Sequence, residues 1–136
     1  MGQQQLLLII LGVIIVGIAI AVGLQLFQSG SVGANQDAIV NDLMNISAHA
    51  DQWRIRPEAM GGGGGEFDGY TIPARLDTTG NAAYSIHSEG SGSEIGFTGT
   101  SLIHAGTVTL NYNADGATDA ARYTWGATGV FEGAFD

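Results

Sequence analysis

The side chains that could perform catalysis are few in this chain, and they are not spaced for it. Its three histidines are His49, His87 and His104, and no pair of them has the spacing of metal ligands. Serine and threonine are plentiful, but there is no Gly-x-Ser-x-Gly motif, and the carboxylates lack the apolar surroundings that a general acid needs. We therefore predict no catalytic residue and no enzymatic activity.

One stretch resembles a calcium loop in its spacing. From Asn111 to Asp119, oxygen-bearing side chains alternate on both sides of Gly116, but the twelfth position is Arg122, where a calcium loop needs a bidentate Glu. A hairpin turn is the interpretation we favour. The chain has no Cys, which excludes disulfides, thiolate metal ligands and covalent haem attachment. We predict no metal site and no cofactor.

The charges are acidic and unevenly placed. The net charge of −9 comes from 13 carboxylates against 4 arginines, and the first charged side chain is Asp37. A nucleic-acid partner needs a basic surface that replaces condensed counterions, and anionic lipid headgroups attract basic segments. The charge balance therefore argues against both kinds of partner.

The uncharged opening is a long apolar run from Leu6 to Phe27. As a helix, about 22 residues rise about 33 Å, enough to cross the hydrocarbon core of a bilayer. A secretory signal peptide would begin with basic residues, which are absent here. Small residues recur one turn apart, Gly17 with Ala21 and Ala19 with Gly23, so helices can approach closely. We predict a membrane segment with the acidic remainder on the exported side.

The helical pattern continues after the apolar run and becomes amphipathic. Apolar residues recur at steps of four, three, four and three: Ile39, Leu43, Ile46, Ala50 and Trp53. We predict one helix over 1–57, made of an apolar segment at 3–27, a kink or melted stretch at 28–33, and an amphipathic half at 34–57. The glycines in 28–33 lower helix propensity, and Pro57 ends the helix.

The second half of the chain has the pattern of a β domain. We predict a glycine-rich connecting loop over 58–81, in which the run Gly61–Gly65 is either a flexible hinge or a backbone packed tightly on Trp53. From 82 to 136 apolar residues alternate with small or polar ones. The strands are predicted at 82–88, 94–103, 106–113 and 120–127.

Short turns join these strands, so they should form an antiparallel meander with one apolar face. The amphipathic half of the helix is the long element available to cover that face. The expected contacts are Ile39, Leu43, Ile46 and Trp53. The predicted fold class is α+β, a long N-terminal helix on a small C-terminal antiparallel sheet.

This order of elements resembles the type IV pilin and pseudopilin family. The resemblance is carried by Gly2 with Gln3–Gln5, the apolar run from Leu6, the amphipathic stretch to Arg56 and the C-terminal strands. Family members are typically cleaved after a Gly that follows a basic leader, and bacterial members have a Glu five residues further on. Here Met1 alone precedes Gly2, and Leu7 stands at the position of that Glu. The chain is therefore divergent, and we expect an unprocessed N-terminus.

The resemblance implies an extracellular filament whose subunits wait in the cytoplasmic membrane and are assembled by an ATPase and a membrane platform. Subunits that leave the bilayer would bury their apolar helices against each other. Two alternatives share these local features: a single-pass membrane-tethered binding ectodomain, and a minor pseudopilin of a secretion system. The residues expected in the filament core are Leu6, Leu7, Ile10, Gly12, Ile14, Gly17, Ala21, Gly23, Leu24 and Phe27.

Overall fold

A computed structural model describes residues 2–115 and 122–136. The chain falls into two compact units, residues 1–33 and residues 34–136. The described part of the first unit, residues 2–33, is helical throughout. The second contains the rest of that helix and a four-stranded antiparallel sheet, so the predicted α+β class is confirmed.

Helix α1 spans Gly2–Ile55. Residues 28–33 are helical throughout, so the expected melted stretch was wrong, and the alternative of a kink stays a prediction. Gly30 and Gly33 each cost about 1 kcal/mol relative to Ala, but the turns on both sides are already formed, so propagation needs no new nucleus. The helix ends two residues before Pro57, close to the predicted boundary.

The loop after α1 contains more helix than predicted. A single 3₁₀ turn covers Glu58–Met60, and a four-residue helix, α2, covers Ala74–Asp77. Each follows a proline, Pro57 or Pro73, whose fixed φ suits the start of a helical turn. Two aromatic side chains of this loop, Phe67 and Tyr70, are buried in the core of the second unit.

Four strands follow in the predicted order. They are β1 (Ala82–Ser91), β2 (Glu94–Ser101), β3 (Gly106–Asn113) and β4 (Tyr123–Gly129). Each pairs antiparallel with the next, which confirms the meander. The register opposes Phe97 to Leu110 and Leu110 to Trp125, so the apolar residues of neighbouring strands share one face. The first two residues of the strand predicted at 120–127 and Gly116 of the predicted turn lie outside the described residues.

The apolar stripe of α1 covers that face of the sheet. Ile39, Leu43, Ile46 and Ala50 are 0–1% exposed. The approach is close: a Cβ placed on Gly99 of β2 would lie 2.8 Å from Cγ2 of Ile39. The core of the second unit therefore lies between residues 34–55 of α1 and one face of the sheet.

The glycine run packs tightly instead of forming a hinge. The N–H groups of Gly63, Gly64 and Gly65 donate to the carbonyl oxygens of Trp53, Arg56 and Arg54, at 3.0, 3.0 and 2.8 Å. The Trp53 and Arg54 carbonyls belong to the last turn of α1, which lacks further helical N–H partners, and the Arg56 carbonyl follows directly after the helix. The Trp53 carbonyl also accepts from the Arg56 N–H at 3.2 Å. Gly65 has a φ of +112°, and a Cβ on Gly63 would lie 2.5 Å from the Trp53 ring. The run is thus a cap for α1 that only glycine allows.

Candidate functional site

The apolar part of α1 has no internal partner. Within residues 2–33, all of which are described, sixteen large apolar side chains between Leu6 and Phe27 are each 49–74% exposed. An exposed apolar surface of this extent is typical of a site that contacts a membrane or another protein. The helix is long and apolar enough to cross a membrane, a criterion that rests on length and composition alone.

The residues predicted to form a filament core all lie in this segment, and all ten are exposed. Leu6, Leu7, Ile10, Ile14, Leu24 and Phe27 are exposed. Gly12, Gly17, Ala21 and Gly23 are exposed as well. A Cβ added to Gly12, Gly17 or Gly23 would meet no atom within 4 Å. Nothing inside residues 2–33 therefore requires these three positions to be glycine.

The small residues of the segment occupy two sides of the helix. At 100° per residue, Gly12, Ala19, Gly23 and Gly30 follow steps of seven, four and seven and share one stripe. Gly17 and Ala21 are one turn apart on the opposite side. Small residues let two helix backbones approach closely. The helix thus has two separate faces suited to close helix packing.

In the second unit, a row of polar side chains runs beside the buried apolar stripe of α1. Asn35, Asp42 and His49 follow each other at intervals of seven residues and so lie on one side of the helix. Each makes a hydrogen bond to the sheet or to a loop beside it. Sequence reasoning missed this row, although the interval of seven was a readable signal.

Asn35 joins α1 to the end of β2 and to the segment before β1. The Ser101 hydroxyl donates to Asn35 Oδ1 at 2.6 Å, and Asn35 Nδ2 donates to the carbonyl of Asn81 at 3.4 Å. Asn35 is buried, and a buried amide without partners would cost about 1–3 kcal/mol. These bonds fix where the β2–β3 turn and the segment before β1 meet the helix.

Asp42 accepts two hydroxyl hydrogen bonds. Tyr84 of β1 donates at 2.6 Å, and Thr79 donates at 3.0 Å. Burial, and then the hydrogen bond to Asp42, raise the pKa of Tyr84. The tyrosine therefore stays a neutral donor. A charge-assisted bond of this kind is stronger than one between neutral groups.

His49 contacts Tyr70 in the loop that follows α1. Its Nδ1 lies 2.8 Å from the Tyr70 hydroxyl, and burial raises the pKa of Tyr70 to about 12. Burial lowers the pKa of His49, with smaller effects from Arg75 and Arg56. A neutral imidazole accepting from a neutral phenol fits these directions. Trp53, half-buried, packs edge-on against the same tyrosine, with ring centroids 5.6 Å apart.

The outer face of the sheet is polar. On β2 and β3, Thr98 opposes Thr109, and Thr100 opposes Thr107. His87 Nδ1 lies 3.0 Å from the Thr98 hydroxyl on this face. Near one end of the sheet is an open, partly polar cavity of about 240 Å³, lined in part by Glu94 and Asn113. Asn113 Nδ2 already donates to Glu94 Oε1 at 2.6 Å.

The structure does not bring the histidines together. His49 contacts Tyr70 and His87 contacts Thr98, in separate parts of the second unit. Across residues 2–115 and 122–136, no group of three His, Cys, Asp or Glu side chains is placed to hold a metal ion. The stretch considered as a calcium loop lies partly outside the described residues.

Comparison of the chain with protein-family models, curated proteins and solved structures finds no match.

Proposed function

We propose that this chain is a pilin-like structural subunit that polymerises through residues 3–27 into an extracellular filament. One observation carries the proposal: sixteen large apolar side chains lie exposed on a helix that leads directly into a folded unit. Transfer of such groups out of water stabilises by about 1.5–3 kcal/mol for each fully buried side chain. The sum is on the order of tens of kcal/mol as an upper bound.

The same segment would serve two environments in turn. In a bilayer, helix association gains little from the hydrophobic effect because lipid is as apolar as the helix. Subunits can therefore be held in the cytoplasmic membrane as a precursor pool. In a filament surrounded by water, the apolar side chains would be shielded by copies of the same helix. This change of surroundings makes the polymer durable.

The two small-residue faces favour a polymer over a plain anchor. A dimer needs one close-packing face, whereas a filament contacts neighbours on at least two sides of each subunit. Gly23 lies on one face and Gly17 on the other. A membrane tether that works alone has no need for either glycine.

The role we propose is structural and not catalytic. His49, Asp42 and Asn35 are chemically versatile groups of the helix, and each is engaged in holding the helix to the sheet or its loops. Assembly in the cell would require partners, for which an ATPase and a membrane platform are proposed on the pilin resemblance.

Shearing cells and pelleting the released material tests the proposal. We expect fibres in the pellet whose main component is this chain. Presence of the chain in the membrane fraction alone would contradict the filament and support the tethered ectodomain. Fibres in which this chain is a trace component would support the minor pseudopilin. Deletion of residues 3–27 should release a soluble chain that forms no fibres.

A further inference from the structure

The two edges of the four-stranded sheet differ in how they are protected. At the β1 edge, Thr78 forms a bridge to Ala83, and the register of β1 with β2 shifts twice after Ile86. Bridges to a loop and bulges of this kind hinder the addition of another strand. The β4 edge has a continuous register with β3 from Tyr123 to Gly129. It also contains no Pro and no charged residue, which are the other common protections of an edge.

The backbone of β4 directs alternate residues to the free side of the sheet. The Asn113 N–H donates to the carbonyl of Arg122 at 3.0 Å, so this pair is a bonded one. Because bonded pairs alternate along an antiparallel ladder, Tyr123, Trp125 and Ala127 direct their N–H and C=O groups away from β3. Across residues 2–115 and 122–136, no backbone hydrogen bond from another segment reaches these three residues.

The inner face of β4 is less covered than the inner face of β3. Val108 and Leu110 of β3 are both 0% exposed. Tyr123 and Trp125, on the same face of β4, are only half-buried, although the Phe135 ring stacks on the Trp125 ring with centroids 5.5 Å apart. The β4 edge therefore presents backbone groups and partly exposed aromatic rings together, and a further strand would cover both.

The sequence of β4 fits a second copy of itself that runs antiparallel. In the register that overlaps all of β4, Gly126 lies opposite its own copy, and Trp125 lies opposite Ala127 of the second copy. Trp125 and Ala127 both direct backbone groups to the free side, so they form a bonded pair in this register. The large indole ring then has a small methyl group across from it, which leaves room for the ring.

The charged residues at the two ends of β4 favour the same arrangement. Arg122 precedes the strand and Glu132 follows it, and both are exposed. Antiparallel pairing brings the beginning of one β4 beside the end of the other, so Arg122 approaches Glu132 of the second copy at both ends of the contact. Parallel pairing would instead bring two copies of Arg122 together, which is repulsive.

We propose that β4 is an interaction edge through which the second unit pairs with another copy of this chain. The two copies of β4 form a twofold antiparallel contact that joins two four-stranded sheets. The contact is small beside a standard interface, which takes about 20–30 residues on each side, so a single pair should be weak and reversible. It uses residues of the second unit alone and goes beyond the proposed assembly through residues 3–27.

A twofold contact closes on two copies, so it does not build a filament by itself. It is suited to lateral contact between filaments, where many weak pairs act together. That consequence rests on the proposed function, whereas the pairing of β4 with β4 requires no filament. Failure of the pairing would therefore leave the proposed function standing.

Single cysteines test the register, because the chain contains no native Cys. In the proposed contact, Thr124 lies opposite Thr128 of the second copy in a non-bonded pair whose Cα atoms are about 4.5 Å apart, within the range of a disulfide. Two copies of position 124 would be about 13 Å apart, which is too far. Full chains with Thr124→Cys and Thr128→Cys, one of them with a size tag, are mixed in detergent micelles and oxidised.

We expect the mixture to give at least about fivefold more disulfide-linked dimer than either variant oxidised alone. Association through residues 3–27 would affect all three samples equally. Equal yields in the three samples, or no cross-link in any of them, would overturn the proposal. A mixture of Thr124→Cys with Ser85→Cys tests pairing of β4 with β1 of a second copy. A higher yield in that mixture would also overturn the twofold contact.

Ala127→Pro tests whether the free backbone groups are needed. It removes an N–H that faces away from β3, and proline is tolerated on an edge strand at such a position. Added to both cysteine variants, it should lower the cross-link yield about tenfold, since proline cannot donate to a neighbouring strand. Near-UV circular dichroism checks that the second unit stays folded. An unchanged yield in the folded variant would contradict the proposal.

A charge exchange gives a second test that leaves the backbone of β4 intact. Arg122→Glu added to both cysteine variants should lower the yield about two- to fivefold at low salt, because it places like charges at both ends of the contact. Adding Glu132→Arg to Arg122→Glu should restore the yield. If Arg122→Glu has no effect, or if the double exchange does not restore the yield, the proposed arrangement is wrong.

Discussion

Two parts of one helix behave in opposite ways. In residues 34–55, the apolar stripe of α1 is buried to within 1% against a sheet supplied by the same chain. Between Leu6 and Phe27, the large apolar side chains surround the helix and are all at least 49% exposed. The amphipathic part finds its partner during folding. The wholly apolar part has no such partner, so its function depends on lipid or on other copies.

The largest effect on stability should come from disrupting the contact between residues 34–55 of α1 and the sheet. Leu43→Asp places a carboxylate in the fully buried interface between α1 and the sheet, and we expect the free energy of unfolding of the second unit to fall by at least about 4 kcal/mol. Urea denaturation of the full chain in detergent micelles, followed by near-UV circular dichroism, measures this loss.

The neighbouring residue provides the control. Met44 is 38% exposed on the same helix turn, so Met44→Asp should change the stability by less than about 1 kcal/mol. Equal losses for the two variants would show that α1 is not packed on the sheet in the way described. Limited proteolysis should digest the sheet in the Leu43→Asp variant and spare it in the Met44→Asp variant.

The proposed helix–helix contact between subunits can be disrupted by substitutions outside the second unit. Gly23→Leu and Gly17→Leu fill the small-residue faces, which prevents close helix approach and should reduce filament yield about tenfold, equivalent to about 1.4 kcal/mol per contact. Membrane insertion and the stability of the second unit should not change, since nothing lies within 4 Å of either position. Filaments are counted by electron microscopy after shearing.

Val22→Leu is the matched control for these variants. It adds one methylene to a side chain that is already large and lies next to Gly23 in sequence. Normal yield with Val22→Leu and reduced yield with Gly23→Leu would assign the effect to close packing. Unchanged filament numbers in both glycine variants would remove the packing argument from the proposed function.

A smaller loss of stability is expected from a substitution in the glycine run at the end of α1. In Gly63→Ala the new methyl group would collide with the Trp53 ring and with the Glu66 carbonyl, so the free energy of unfolding should drop by about 1–3 kcal/mol. Gly80→Ala is the control, because a Cβ there meets nothing within 4 Å and the backbone is not left-handed. It should be neutral or stabilise by up to about 1 kcal/mol. Thermal denaturation of both variants checks this difference.

Sequence periodicity was enough to place the main elements. The steps of four and three through Ile39, Leu43 and Ile46 identified the buried side of the helix, and alternation identified the four strands and their order. These signals are regular because each reflects one repeating geometry. The filament and the pilin family remain proposals, since they concern contacts outside the chain.

The parts that sequence reasoning missed depend on contacts between distant segments. From the sequence the glycine run could be a flexible hinge or a backbone packed tightly on Trp53, and the hydrogen bond from the Gly63 N–H to the Trp53 carbonyl supports packing. Asp42 lies outside the apolar stripe of α1, and it accepts hydrogen bonds from Tyr84 and Thr79. No local sequence pattern predicts these partners, because Tyr84 and Thr79 lie about 40 positions from Asp42 in the sequence.

The smallest predicted effect concerns pH and the His49–Tyr70 contact. Burial lowers the pKa of His49 below its ordinary value of 6.5, so the folded protein holds the neutral imidazole and the unfolded chain takes up a proton first. The contribution of His49 to stability is therefore full above pH 6.5 and is lost as the pH falls below it. His49→Gln removes this titration and keeps a hydrogen-bonding group. The difference in free energy of unfolding between wild type and His49→Gln should shrink or reverse below pH 6.5, as measured by urea denaturation at several pH values.

A difference that stays constant across that pH range would contradict this prediction. It would mean that the imidazole is equally easy to protonate in the folded and unfolded chains.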